Sequence, residues 1–314
     1  MNGCARMLPG DTLTNPVDGE VHWNGRKSAW YLGWSAAALV LAPLSFTWSA
    51  AAVGCGFTVT TLCLGHTLGM HRRLIHQSFE CRPWVEAVLV YLGTLVGLGG
   101  PFRVMYLHDI RDWSQRHPDC HSFFRHSHRW WVDFWQQQNC EIALTHPPRF
   151  VIEDRVRLNR FYAWLDRTWR WQQLPPAIAL YLLGGWSWLV WGMAVRLFVS
   201  LTGHWLVGFL AHNRGGRHWH IEGAAVQGYN VAGFALLTMG ESWHNNHHAY
   251  PESSRLGLKA GEWDLGWWVL RFLARLGLAW NLRVPETLPA RPERHDLAVA
   301  QASIERARTI SAGE

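Results

Sequence analysis

From Ser28 to Gly65 the chain runs 38 residues without an Asp, Glu, Lys or Arg. That length suffices for two bilayer crossings of about 20 residues each, and Ala42-Pro43 supplies a turn between them. A second uncharged run extends from Leu174 to Val195, meets Arg196, and resumes from Leu197 to Ala211. It predicts another hairpin, turning near Trp191-Gly192, with Arg196 snorkelling to the outer surface. Residues 84–100 are apolar but short for a span, and they carry Glu86 and a Gly-rich ending, so a re-entrant or buried helix is expected there. Residues 151–172 alternate charge with Val, Leu, Phe and Trp at helical spacing and predict an amphipathic helix on a membrane surface, as do residues 264–278. The pattern divides the chain into a polar tail (1–27), a membrane unit (28–285) and a second polar tail (286–314). The fold class expected is all-α integral membrane, with four transmembrane helices in two hairpins and a cytoplasmic helical cap.

Charge placement orients this scheme. The net charge of +6 and the 29 basic residues would suit nucleic acid, but only two are Lys and no basic run is long enough for a patch. Of those 29 residues, 28 lie outside the two hairpins: 3 in 1–27, 14 in 71–173 and 11 in 213–314. The positive-inside rule then places both termini and the central loop in the cytoplasm. The basic balance follows from topology, and no nucleic-acid partner is expected. Residues 1–27 lack the apolar core of a cleavable signal, so the first crossing is expected to be retained. The six Cys form no CxxC pair and read as inert thiols in a reducing compartment.

The chemistry lies in the 18 histidines. His71 and His76 (HRRLIH) end the second crossing, His212 ends the fourth, and His244, His247 and His248 form WHNNHH. At about 100° per residue the last three share one helical face. His71 and His76 lie about 140° apart on an α-helix, too far to grip one ion easily but able to reach two. For a single interfacial histidine, hydrogen bonding is the ordinary role, but a clustered set points to metal, since neutral imidazole is the commonest metal ligand. His22, His126, His128, His146, His218, His220 and His295 lack such spacing and are assigned to the surface. His66 and His204 lie inside crossings and read as hydrogen-bonded packing residues. HExxH, GxSxG, a P-loop and GxGxxG are absent; an imidazole site suits iron, copper or zinc, and softness does not choose among them.

The order of hairpin, HxxxxH, cytoplasmic His segment, hairpin, single His and HxxHH resembles the membrane-bound fatty acid desaturases, specifically the acyl-CoA desaturase branch. The resemblance rests on HRRLIHQSF, LAHNRGG, GESWHNNHHAYP and EWDLGWWVLRFLARLGLAWNLRVP, within residues 28–285. It implies a non-haem di-iron centre of two iron ions that uses dioxygen to remove two hydrogens from a fatty acyl chain. The product would carry a double bond, with the delta-nine position a candidate, and the substrate would be acyl-CoA or acyl-lipid. It also implies an electron donor such as a ferredoxin or a b-type cytochrome with its reductase, and a multi-pass place in the membrane, with a bacterial inner membrane favoured. His71, His76, His108, His212, His244, His247 and His248 are the implied ligands.

Two departures from that pattern stand out. The middle box, HxxHH in the family, reads HDIRD here, so Arg111 and Asp112 replace two ligands, and Gly208 stands where the family has Asn. Arg cannot ligate, because its guanidinium stays protonated. Asp112, four residues after His108, shares its helical face and is the expected replacement ligand, with His121 the second candidate. His117 precedes Pro118, which predicts a new helix beginning there, with His117 as a cap or substrate contact. The alternatives to a desaturase are a related di-iron lipid hydroxylase and a metal-binding membrane protein without turnover.

Overall fold

A computed structural model describes residues 3–299, so the end of the expected C-terminal tail, residues 300–314, lies outside the described residues. The first hairpin is formed by helix α1 (Gly25–Leu44) and helix α2 (Trp48–Thr60). Its turn falls at residues 45–47, where Thr47 caps α2 through its side chain; Pro43 lies inside α1 and is not the turn. α2 continues without a break as a π-helix, Thr61–Ile75, giving one 28-residue helix, Trp48–Ile75, apolar enough to cross a bilayer.

Where four helices were expected, two among the described residues meet the length and apolarity needed for a span. The second is Trp171–Asn213, 43 residues, in which Gly185 has φ +64°. The chain folds back there, as shown by Gly192, where an added Cβ would lie 2.5 Å from Leu180 Cδ1. On a straight helix those residues would be about 18 Å apart. The bend therefore sits at Gly185, and Trp191-Gly192, the expected turn, lies in a π-helical stretch, Val190–Val195. Glycine is needed at 185 because its backbone is left-handed. Arg196 does not snorkel. It is fully buried and donates to the carbonyls of Gly192 and Leu95 and to Gln173 Oε1, since two neighbouring segments offer it acceptors in the interior.

Only 28% of the most apolar window of each long helix is buried, and Leu44, Trp48, Leu182 and Leu183 are 75–83% exposed. Helices of a water-soluble core would hide these side chains. The outward apolar belt marks a membrane-associated protein.

The cap is built on helix α3 (Pro83–Leu95) and helix α4 (Pro101–Arg116). α3 is the buried helix expected between the hairpins, and it lies against the π-helical half of α2. Added Cβ atoms at Gly65 and Gly69 would meet the Leu92 carbon and the Leu89 oxygen at 2.4 Å, so glycine sets the separation. The amphipathic segment after residue 151 resolves into short helices, Asp154–Arg157 and Arg160–Thr168, and that near residue 264 into Leu265–Arg275.

Both expected tails pack on this cap. Met7–Leu8 pairs with Arg149–Phe150, Gly19–Trp23 with Cys140–Leu144, and Arg294–Asp296 with Trp219–Ile221. The backbone donors and acceptors of these polar segments are satisfied by short two-stranded ladders, which polarity alone does not reveal.

Gly69→Leu is expected to force α3 away from α2, costing about 1–3 kcal/mol or more. Thermal unfolding in detergent should show a Tm lower by several degrees; an unchanged Tm would mean that the contact is not tight.

Candidate metal centre

The π-helical geometry of Thr61–Ile75 determines how HRRLIH is used. In a π-helix the hydrogen bond runs from i+5 to i, and the His76 backbone N–H donates to the His71 carbonyl at 3.0 Å. Residues five apart therefore stack on one face. The two rings meet, Nε2 to Nε2, at 3.2 Å, so the expectation that they diverge toward two ions, which assumed α-helical spacing, is corrected. His108 from α4 brings its Nε2 to 3.3 Å from that of His76. His247 completes a set of four, His71, His76, His108 and His247, whose ligand atoms all fall within 4.8 Å of one another.

The second set is His212, His244 and His248. His244 Nε2 lies 3.1 Å from His212 Nε2 and 3.0 Å from His248 Nε2. WHNNHH is therefore split: His244 and His248, four apart on the helix His244–Ala249, serve one set and His247 the other. A helix of six residues has little stability of its own, and the two asparagines anchor it. Asn245 Oδ1 accepts from the backbone of His218 and Trp219, while Asn246 Nδ2 donates to the Leu256 carbonyl and to Glu262.

The outer nitrogens fix the tautomers. His212 Nδ1 faces the Gly208 carbonyl at 2.7 Å, and a carbonyl only accepts, so the proton is on Nδ1 and the Nε2 lone pair is free. His71 Nδ1 lies 2.7 Å from Glu241 Oε2, and His108 Nδ1 lies 3.2 Å from Asp109 Oδ1. Carboxylates on the outer nitrogens of histidines are the usual support of metal ligands. Asp109 is fully buried and held by Arg6 at 2.8 Å; Arg6 also donates to the Ile75 carbonyl at 2.7 Å, tying the N-terminal segment to the end of the π-helix. Arg72 reaches Asp264 at 2.9 Å and the Ser254 carbonyl at 2.7 Å, joining α2 to the C-terminal cap.

Burial, followed by the charge of neighbouring imidazoles, holds His76, His244 and His247 well below the ordinary histidine range. His248 is pushed down to about 4 by burial, which Asp112 partly opposes. Burial alone would raise the Glu241 carboxyl, yet His71 and Arg72 bring it down to about 2. Neutral imidazoles beside ionised carboxylates are the protonation states that metal binding needs. The inner nitrogens converge at 3.0–3.3 Å, close enough to share a proton or to turn their lone pairs to one cation, and His76 and His247 also keep buried Nδ1 atoms without protein partners among the described residues. Both sets thus fit metal ions.

The other candidates fall outside these sets. Asp112, expected to replace a lost imidazole, is ion-paired with Arg116 at 3.0 Å, one helical turn on. His121 caps the short helix Ser122–Arg125, its Nδ1 accepting from the Phe123 N–H. His117 closes α4 instead of opening a helix, with Nδ1 on the Trp113 carbonyl at 2.8 Å. His66 and His204 make ring contacts with each other at 5.1 Å, and His66 lies parallel to His71 at 6.4 Å. His126, assigned to the surface for want of spacing, is 1% exposed; its Nδ1 meets Asp133, seven residues on, and its ring stacks on His212 from a distant helix. Sequence reading missed Glu241, Asp109 and Arg6 as supports. The adjacency of Glu241 to WHNNHH and of Asp109 to His108 was the available signal, whereas Arg6 had none.

Glu241→Ala is expected to weaken metal binding about 10–100-fold, the usual effect of removing such a support, while the chain still accumulates. Chelator competition measures this, and an unchanged affinity would remove Glu241 from the account.

No family model matches the chain. It is 34% identical over 253 residues to the sn-1 stearoyl-lipid 9-desaturase of Synechocystis sp., covering 79% of this chain and 76% of that one. It is 35% identical to the Delta-9 acyl-lipid desaturase 2 of Arabidopsis thaliana, covering 78% of each. It is 31% identical to the Acyl-CoA C20 Delta5-desaturase of Anemone leveillei, covering 80% of each. Acyl-lipid and acyl-CoA enzymes are both among these relatives, so the acyl-CoA branch is not singled out. With two buried histidine sets fit for metal and such identity across most of its length, the chain belongs to the membrane fatty acid desaturases, a family of oxidoreductases.

Proposed function

We propose that this protein introduces a double bond into a fatty acyl chain, with two iron ions held by its seven converging histidines. The observation that carries the reading is the pair of converging imidazole sets at the ends of the two long apolar helices. His71, His76, His108 and His247 would hold one ion; His212, His244 and His248 the other. Bound iron supplies the activation of dioxygen that removal of hydrogen from a methylene pair requires. The residues of the chain have supporting tasks. Glu241 and Asp109 keep the outer protons of His71 and His108 in place, and Arg6 keeps Asp109 oriented. The apolar helices admit the hydrocarbon from the bilayer, while the polar head and the electron donor, a ferredoxin or a b-type cytochrome with its reductase, stay on the cap side.

The relatives named as acyl-lipid 9-desaturases support a lipid-linked substrate and the delta-nine position, and one named as an acyl-CoA desaturase supports the thioester alternative. The asymmetry of 28 of 29 basic residues supports four crossings with both termini, the cap and the metal centre in the cytoplasm, as at a bacterial inner membrane. In this scheme residues 28–285 form the desaturase unit.

Expression in a host whose acyl profile is known should yield an acyl chain two hydrogens lighter, and His247→Ala should abolish that product with the protein still in the membrane. An alcohol in place of the alkene would assign hydroxylation, and an unchanged profile with a reduced donor present would leave metal binding without turnover. A reporter fused after Glu314 should be active on the cytoplasmic side; activity only outside would overturn the topology.

A further inference from the structure

The two histidine sets are unequal, four against three, and a further imidazole stands beside the smaller one. His126 is 1% exposed, and its Nδ1 lies 3.0 Å from Asp133 Oδ2, which also accepts from Trp205 Nε1 at 2.8 Å. Its Nε2 is buried without a hydrogen-bond partner among the described residues. This repeats the arrangement of His71 with Glu241 and His108 with Asp109: a buried carboxylate on the outer nitrogen and a free lone pair on the inner one. A histidine retained only for packing would leave that lone pair desolvated with nothing in return.

The ring is placed relative to the set. Its centroid lies 5.3 Å from that of His212, with the planes 9° apart. The three members keep centroid separations of 4.6, 5.6 and 4.5 Å among themselves, so the distance from His126 to His212 falls within the spacing of the set. Gly208 leaves the approach open: a Cβ added there would have His126 Cε1 and Nε2 at 3.8 Å as its nearest neighbours, so a longer side chain would project into the space beside that nitrogen. Arg111 Nη1 lies 3.9 Å from the same point, and the guanidinium is held by Gln137 Oε1, which accepts from Nη2 at 2.9 Å. The backbone pays for the placement, since His126 has φ +53°, a left-handed conformation. The carbonyl of His126 accepts from Asn213 Nδ2 at 3.0 Å, next to His212.

We propose that His126, oriented by Asp133, is the fourth protein ligand of the His212, His244 and His248 position. Its nitrogen is outside the group whose atoms all lie within 4.8 Å and its plane is nearly parallel to that of His212, so it closes on the ion by a rotation of the ring about its Asp133 contact. The inference rests on the two-metal reading above.

The test is metal stoichiometry of the purified full-length protein loaded with iron, with chelator competition for affinity. Asn tolerates a left-handed backbone, so His126→Asn preserves the fold, and a size-exclusion profile matching the parent checks this. The parent should hold two ions, and His126→Asn one, with the four-histidine site keeping its affinity; Asp133→Asn should weaken the second site at least tenfold. Two ions in His126→Asn at parental affinity would overturn the ligand and leave the two-metal reading standing. Fewer than two ions in the loaded parent would overturn both. Loss of one ion in His121→Ala, with His126→Asn unchanged, would transfer the role to His121 and likewise overturn the proposal.

Discussion

Buried imidazoles whose inner nitrogens converge can share protons as Nε2–H···Nε2 hydrogen bonds or turn their lone pairs to a common cation. Seven side chains of this protein converge in two sets, six of them with Nε2 atoms 3.0–3.3 Å apart, and much of the cap exists to keep them there. A buried salt bridge from Arg6 to Asp109 steadies His108, and a second from Arg72 to Asp264 ties the first histidine helix to the start of the helix Leu265–Arg275. Breaking either would leave a charge buried without its partner, which is costly. The same forces that assemble the cap therefore define the site.

Distances along the chain are bridged in three ways. The π-helix brings His71 and His76 to one face, which an α-helix of the same sequence would not. Gly65 and Gly69 let α3 lie against that helix, supporting it from behind. Asparagines at 245 and 246 fasten a six-residue helix that sends His247 one way and His244 and His248 the other. The apolar helices end at this cap, so a hydrocarbon in the bilayer and a polar partner in water can meet at one place.

Much of this was legible in the sequence because it depends on composition and spacing. Long uncharged runs revealed the two hairpins, and the histidine boxes supplied all seven members of the two sets. What was not legible depends on local backbone geometry or on contacts between distant segments. The bend at Gly185 and the π-helix rest on hydrogen-bond registers that hydropathy does not encode. Arg196 looked like a snorkelling residue because its acceptors, the Leu95 carbonyl and Gln173, lie 101 and 23 residues away in the chain. His126 had no partner at helical spacing, and Asp133 and Gly208 reach it only through the fold.

The central claim is that the two histidine sets each hold an iron ion. Anomalous diffraction at the iron absorption edge, from crystals of the iron-loaded protein, tests it directly. Two peaks are predicted, one enclosed by His71, His76, His108 and His247 and one by His212, His244 and His248. A single peak, none, or peaks away from these side chains would contradict it.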